Sequence, residues 1–167
     1  LRNFSGETLF IQGAIPKIER EKILSNYGDL INSKRLVLAD SYLENDQVVE
    51  YISRFEIGFC FYNFEIQWIN TINYQTAPSG KLFKYLAAGI PVICSDILVF
   101  KFVDEFRCGI LLDEVNSLTI HNAIVKIREN YIFYSDNCLI AAKYYSFDKA
   151  VAKYIEFIKG GINIENE

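Results

Sequence analysis

The chain of 167 residues contains no methionine, a single histidine and a single tryptophan. A complete natural chain begins with methionine, so one that opens on Leu1 reads as a piece of something larger; N-terminal processing would give the same result. With only His121, and no C-x-x-C pair among the four cysteines, nothing points to a structural zinc site. Cys60, Cys94, Cys108 and Cys138 lie far apart, and the first two fall inside expected strands. Buried free thiols are therefore expected, not a disulfide framework. No apolar run approaches the ~18 residues of a membrane span. Leu1-Arg2-Asn3 is not followed by the apolar core of a signal peptide. Surplus positive charge is missing as well: the net charge of −4 argues against a broad nucleic-acid footprint. The chain has no internal repeat and no low-complexity tract. A cytoplasmic protein, or one at the inner face of the membrane, fits these absences.

What remains is the composition of a globular domain, 51% hydrophobic and 23% charged, too apolar to stay disordered. Residues 1–167 are read as one domain, long enough to bury about two-thirds of its unfolded surface.

The most informative stretch runs from Ala77 to Asp96. Pro78 biases Ala77 away from helical geometry, and Ser79 is a good N-cap for a helix starting at Gly80 or Lys81. Leu82, Phe83, Leu86 and Ala87 recur at helical spacing. Gly89 stands where a helix ends in the left-handed conformation, and Pro91 prevents continuation. Val92-Ile93-Cys94 is the apolar run of a strand buried on both faces.

Around it the chain alternates. Strands are expected at 8–13 (closing on Gly13), 35–39, 57–62 and 109–113. A helix is expected over 18–31, with Ile23, Leu24, Tyr27 and Leu30-Ile31 as its buried stripe. Ser41-Tyr42-Leu43-Glu44 has capping-box spacing ahead of a helix that turns Val48, Ile52 and Phe55 inward. Residues 63–78 form a long polar and aromatic loop, a length that compact domains keep for function. Residues 102–106 read as a helical turn. From Ser117 the pattern is helical, with Leu118, Ile120, Ala123, Ile124 and Ile127 first, then 138–145 and 147–158. This alternation predicts an α/β fold with a parallel sheet of five or slightly more strands.

The run Pro78-Ser79-Gly80-Lys81-Leu82-Phe83-Lys84-Tyr85-Leu86-Ala87-Ala88-Gly89-Ile90-Pro91-Val92-Ile93 resembles the nucleotide-sugar-binding segment of GT-B glycosyltransferases, in the large retaining group. Upstream, Ile57 to Tyr62 stands where that family has the strand leading to its donor loop. Downstream, Glu105 and Gly109-Ile110-Leu111-Leu112 stand where it has a glutamate, a glycine and a short strand, and Phe147, Asp148 and Tyr154 look like its closing helices. The resemblance covers about the whole chain. It implies the C-terminal, Rossmann-like half of such an enzyme, which holds a nucleotide-diphosphate sugar as donor substrate and requires no other cofactor. It also implies a missing N-terminal domain that receives a glycan or lipid-linked acceptor and supplies part of the catalytic machinery. No catalytic residue is assigned within this chain. If residues 8–13 form the second strand of that half, its first strand and basic phosphate loop lie outside the chain.

The phosphate chemistry stands without the family. A helix N-terminus offers unpaired N–H groups and a favourable dipole to an anion. Gly80 lets the backbone approach, Ser79 adds a hydroxyl, Lys81 supplies a cation, and Leu82 completes the first turn. Such a site would stabilise the leaving diphosphate, and no metal is needed. Gly13, Glu105 and Lys84 complete the candidate donor-binding set. Lys84 is also a departure: the family often has glutamates at the positions of Thr76 and Lys84. A lysine cannot accept a hydrogen bond from a ribose diol, so either the ribose is bound differently here or donor affinity is weakened.

Blander readings compete. Ser79-Gly80-Lys81 could be a plain capped helix start, although the surrounding pattern favours phosphate. A Walker loop fails, because Gln75 and Leu82 stand at its glycine and Ser/Thr positions. The Tyr62–Tyr74 loop with Trp68 is either a sugar or base platform or an interface to the missing domain. Asp104, Asp113 and Glu114 read as solvated surface, His121 as part of a surface helix start, and Lys17, Arg20 and Lys22 as a solvated helix start. Two alternatives to a transferase half are a non-catalytic nucleotide-binding α/β domain and a flavodoxin- or receiver-like signalling domain. The receiver reading lacks its acidic strand ends, where Gly13 and Tyr62 stand instead.

Overall fold

The computed structural model describes residues 6–41, 43–62 and 78–162. Within them, strands and helices alternate: β1 (Leu9–Gln12), α1 (Lys17–Asn32), β2 (Leu36–Ala39), α2 (Asn45–Ile52), β3 (Gly58–Cys60), α3 (Gly80–Ala87) and β4 (Val92–Ser95). A 3-10 turn over Leu98–Phe100 leads into α4 (Lys101–Glu105), then β5 (Gly109–Leu112), α5 (Ser117–Glu129), α6 (Tyr131–Tyr144) and α7 (Phe147–Ile162). All strand pairings are parallel, as the βαβ alternation requires.

The strands form two sheets. β1 pairs with β2, and β4 lies between β3 and β5. The single sheet of five expected from the sequence is therefore divided: among the described residues no ladder joins β1 or β2 to β3. β1 and β3 are only four and three residues long, and side chains bridge the two regions instead. The ring of Phe10 in β1 lies 4.8 Å from that of Phe55, just ahead of β3. Arg128 on α5 bonds both Glu7 and Glu56.

The core belongs to the second sheet. Side chains alternate across a strand, so β4 sends Val92 and Cys94 to one face and Ile93 to the other. The first face packs with Cys60, Leu82, Leu86, Phe100, Val103, Cys108, Cys138 and Ala141. The second packs with Leu112, Ala123, Ile124, Ile127 and Tyr134. Every residue of β4 is buried, which explains its apolar run of Val92, Ile93 and Cys94 ahead of Ser95. All four cysteines are free and buried.

Two glycines have geometric roles here. Gly89 takes φ +68° immediately after α3, the left-handed geometry that ends a helix. Its carbonyl accepts the Ser135 hydroxyl of α6 at 2.6 Å. At Gly109 the strands approach so closely that a Cβ would stand 2.1 Å from the Val92 carbonyl oxygen.

Three local expectations are corrected. On α1 only Leu30 is buried, while Leu24 and Tyr27 are 45% exposed. The backbone leaves helical geometry at Tyr27 (φ −134°, ψ 22°), which interrupts the stripe, and a two-stranded sheet offers little surface to cover it. The box expected at Ser41–Glu44 does not cap α2. The helix begins at Asn45 with Glu44 at the cap and no side-chain cap bond, and Ser41 instead accepts the Gln12 amide through both its carbonyl and its hydroxyl. α5 begins at Ser117 as expected, but Leu118 in its first turn is exposed and stands outside the buried stripe of Ala123, Ile124 and Ile127. Asn116 Oδ1 accepts from the Leu118 and Thr119 N–H groups at 3.0 Å each, and Thr119 Oγ1 returns the bond to the Asn116 N–H at 3.1 Å.

Candidate functional site

A helix that returns from the end of one parallel strand to the start of the next begins at the carboxyl edge of the sheet, where α/β proteins bind ligands. α3 occupies that position between β3 and β4. Ser79 is its N-cap, extended at φ −64° and ψ 129°, and its hydroxyl makes no capping bond. Gly80 and Lys81 are exposed, and open space surrounds the position of a Gly80 Cβ. As the first two helical residues, they have no intrahelical acceptor for their N–H groups.

Leu82 differs from its neighbours. Its N–H donates to the Ser79 carbonyl at 2.9 Å and its side chain is fully buried, so it anchors the first turn. Leu86, one turn on, is likewise fully buried. The ring of Phe83 stacks on Phe102 at 5.9 Å with an interplanar angle of 2°. The charge of Lys81 reaches the thiols of Cys60, the last residue of β3, and of Cys94 in β4. Ser95, buried at the end of β4, accepts the Tyr62 N–H at 3.0 Å and holds the exit of β3 in place.

Lys84 turns to a different neighbour. Half-buried on α3, its Nζ donates to Asn45 Oδ1 at 2.9 Å, tying α3 to the first residue of α2. Gly13 ends β1 at φ +128°, and its N–H donates to the Ala39 carbonyl at 3.0 Å, so it belongs to the two-stranded sheet. Glu105 is the exposed last residue of α4. Burial first, and then the Glu105 charge, push up the Tyr145 phenol. Among the described residues no hydrogen bond or ion pair links Glu105 or Gly13 to Ser79–Lys81. Arg20 is paired with Asp40, and Lys22 lies 3.7 Å from Glu19. Trp68 and Thr76, with the rest of the aromatic loop up to residue 77, lie outside the described residues.

A second polar cluster went unnoticed in the sequence. Asp96 and Asp113 follow β4 and β5, and Lys101 Nζ lies 2.5 Å from Asp96 Oδ1. That ammonium holds the Asp96 carboxyl below its ordinary range, and Asp113 also stands within hydrogen-bonding reach. These residues line one end of a groove of about 440 Å³ along the outer edge of β5, which continues past Lys126 to Arg107 and Phe133. The groove does not include the start of α3. The spacing of Asp96 and Asp113, each closing a parallel strand, was the signal that could have found the pair.

No family model, curated protein or solved structure matches this chain. Among the described residues no group of three or more His, Cys, Asp or Glu could hold a metal ion, and no helix is long and apolar enough to cross a membrane.

Proposed function

We propose that this chain is the donor-binding, Rossmann-like half of a GT-B glycosyltransferase, which holds the diphosphate of a nucleotide sugar at the start of α3. The supporting observation is the exposed start of α3 at Gly80 and Lys81, anchored by the buried Leu82 and Leu86 and opening at the carboxyl ends of β3 and β4. The Gly80 and Lys81 N–H groups would donate to phosphate oxygens, the free Ser79 hydroxyl would add a third donor, and the Lys81 ammonium would balance charge. In the transferase reaction the same groups would stabilise the diphosphate as it leaves the sugar. The acceptor, glycan or lipid-linked, would enter from the partner half that the resemblance implies.

The bond from Lys84 to Asn45 favours a second reading, a nucleotide-binding α/β domain without catalysis. Lys84 stands where a glutamate would hold the ribose, and its engagement with α2 leaves that contact unmade. Calorimetric titration of UDP, GDP and pyrophosphate into the wild type, Lys81→Ala and Lys84→Glu tests the site. Loss of one charge-assisted hydrogen bond weakens diphosphate binding about tenfold to a hundredfold in Lys81→Ala. Lys84→Glu is expected to improve binding of the full nucleotide and leave pyrophosphate binding no better. Equal affinities for the wild type and Lys81→Ala remove the phosphate role. Sugar transfer by the chain joined to its partner half separates the two readings.

A further inference from the structure

Four of the ten fully buried residues on one face of the second sheet are cysteines, and they form two thiol pairs. Cys60 and Cys94 are register partners on adjacent parallel strands, so both side chains leave the sheet on the same face. Both are fully buried in the same cluster, so the two thiols stand side by side in the core. Cys108 and Cys138 are placed differently, in the turn before β5 and on α6. Cys138 Sγ donates to the Cys108 carbonyl at 3.2 Å and Cys108 Sγ to the Val103 carbonyl at 3.6 Å, so both hydrogens are directed at backbone oxygens.

We propose that Cys60 and Cys94 form a peroxide-oxidisable dithiol, a covalent modification site that closes as a disulfide between β3 and β4. The Cys60 thiolate attacks one oxygen of a hydroperoxide, the O–O bond breaks, and the remaining oxygen leaves as an alcohol or water after taking up a proton. Cys60 is then a sulfenic acid. The Cys94 thiol attacks that sulfur, the S–O bond breaks, and water departs with the thiol proton. In sum, two thiols and one hydroperoxide give a disulfide, water and an alcohol (water for hydrogen peroxide itself), with two electrons passing from sulfur to the peroxide.

The assignment of Cys60 as the attacking sulfur rests on its surroundings. The neighbouring Cys94 thiol outweighs burial and holds the Cys60 thiol below the ordinary range, with the Lys81 charge acting in the same direction. Cys94 is pushed up by its nearness to Cys60 and by burial, which makes it the resolving partner. Access comes from α3. Its buried Leu82 and Leu86 pack against Cys60, whereas its first turn is exposed at Gly80 and Lys81, and helix ends open at low cost. A small peroxide enters through such an opening; a bulky disulfide does not. This proposal is independent of nucleotide binding.

The test treats the folded chain with hydrogen peroxide, denatures it, alkylates the remaining thiols and maps the peptides by mass. Two of the four thiols should escape alkylation, return after reduction by dithiothreitol, and map to one peptide pair joining Cys60 to Cys94. In Cys94→Ser the resolving thiol is gone, and Cys60 should stop at a sulfenic acid trapped by dimedone. Four alkylatable thiols after treatment, or a crosslink joining Cys108 to Cys138, overturns the proposal. The wild-type map decides alone if Cys94→Ser fails to fold.

Discussion

The two sheets of this molecule are built from similar sequence and reach different degrees of burial. Around β3, β4 and β5, Leu82, Leu86, Val92, Ile93, Phe100 and Val103 lose all contact with solvent. Among the described residues around β1 and β2 only Leu30, Leu36 and Ile52 are buried hydrophobics, and Phe10, Ile18, Leu24 and Tyr27 remain exposed. The difference follows from layering. The second sheet has helices on both faces and its central strand is covered from either side. A pair of strands with α1 against it has little to cover. Burial at about 25 cal/mol per Å² therefore concentrates stability in the second region, and the first depends on a few links to it. The candidate phosphate site lies on the well-buried side, where a helix start is held in place by the buried Leu82 and Leu86.

The sharpest way to break the well-buried region is Gly109→Ala. The added methyl meets the Val92 carbonyl at 2.1 Å and Val103 Cγ1 at 2.9 Å, and backbone cannot yield as a flexible side chain does. Loss of the folded state, seen by circular dichroism, is expected. Next in size, Leu86→Ala should cost about 2–5 kcal/mol in denaturant titration, the range for emptying a buried leucine site. Leu24→Ala on the exposed face of α1 should stay within about 0.5 kcal/mol. Equal losses at the two leucines would erase the contrast between the regions.

Arg128 joins the two halves. Its guanidinium grips Glu56 through two bonds of 2.8 Å and Glu7 through one of 3.0 Å. The side chain is partly exposed, so Arg128→Ala should lower global stability by only about 1 kcal/mol or less. Its signature is local: amide exchange in β1 and β2 should quicken while β4 keeps its protection. Unchanged exchange in β1 would show that the clasp is ornamental. Acid should act on the same link. The Arg128 hydrogen bond lowers the Glu56 carboxyl, and at Glu7 burial raises the carboxyl but Arg128 and the residue's own backbone N–H together bring it below its ordinary value. Groups whose pKa falls on folding stabilise above their unfolded values, and that contribution disappears as pH drops through the lowered folded values. Loosening of β1 and β2 should therefore begin below the ordinary glutamate range, ahead of the second sheet, and Arg128→Ala should remove this early step.

Much of the second region was legible because Gly and Pro punctuate it. Pro78, Gly89 and Pro91 bracket α3 and β4, and the Leu82–Leu86 spacing marks the helix face that is buried. The first region misled because local pattern carries no information on what will cover a stripe. Leu24 and Tyr27 have helical spacing and face solvent. Ser41 and Glu44 have capping-box spacing, yet neither side chain caps α2. The Arg128 clasp joins residues 72 and 121 positions apart, beyond the reach of any local reading. At the candidate site, sequence located the start of α3, but it gave no sign that Lys84 would turn to Asn45 or that Leu82 would spend its N–H on Ser79.

The central claim is that a nucleotide diphosphate is held by the first turn of α3. Amide-resolved chemical-shift titration with UDP examines it residue by residue. The largest changes are expected at Gly80 and Lys81, with smaller ones at Tyr62 and Ser95 near the strand ends and none at Gly13. Changes confined to the groove beside β5, at Arg107, Leu111 and Lys126, or no changes at saturating UDP, would contradict it.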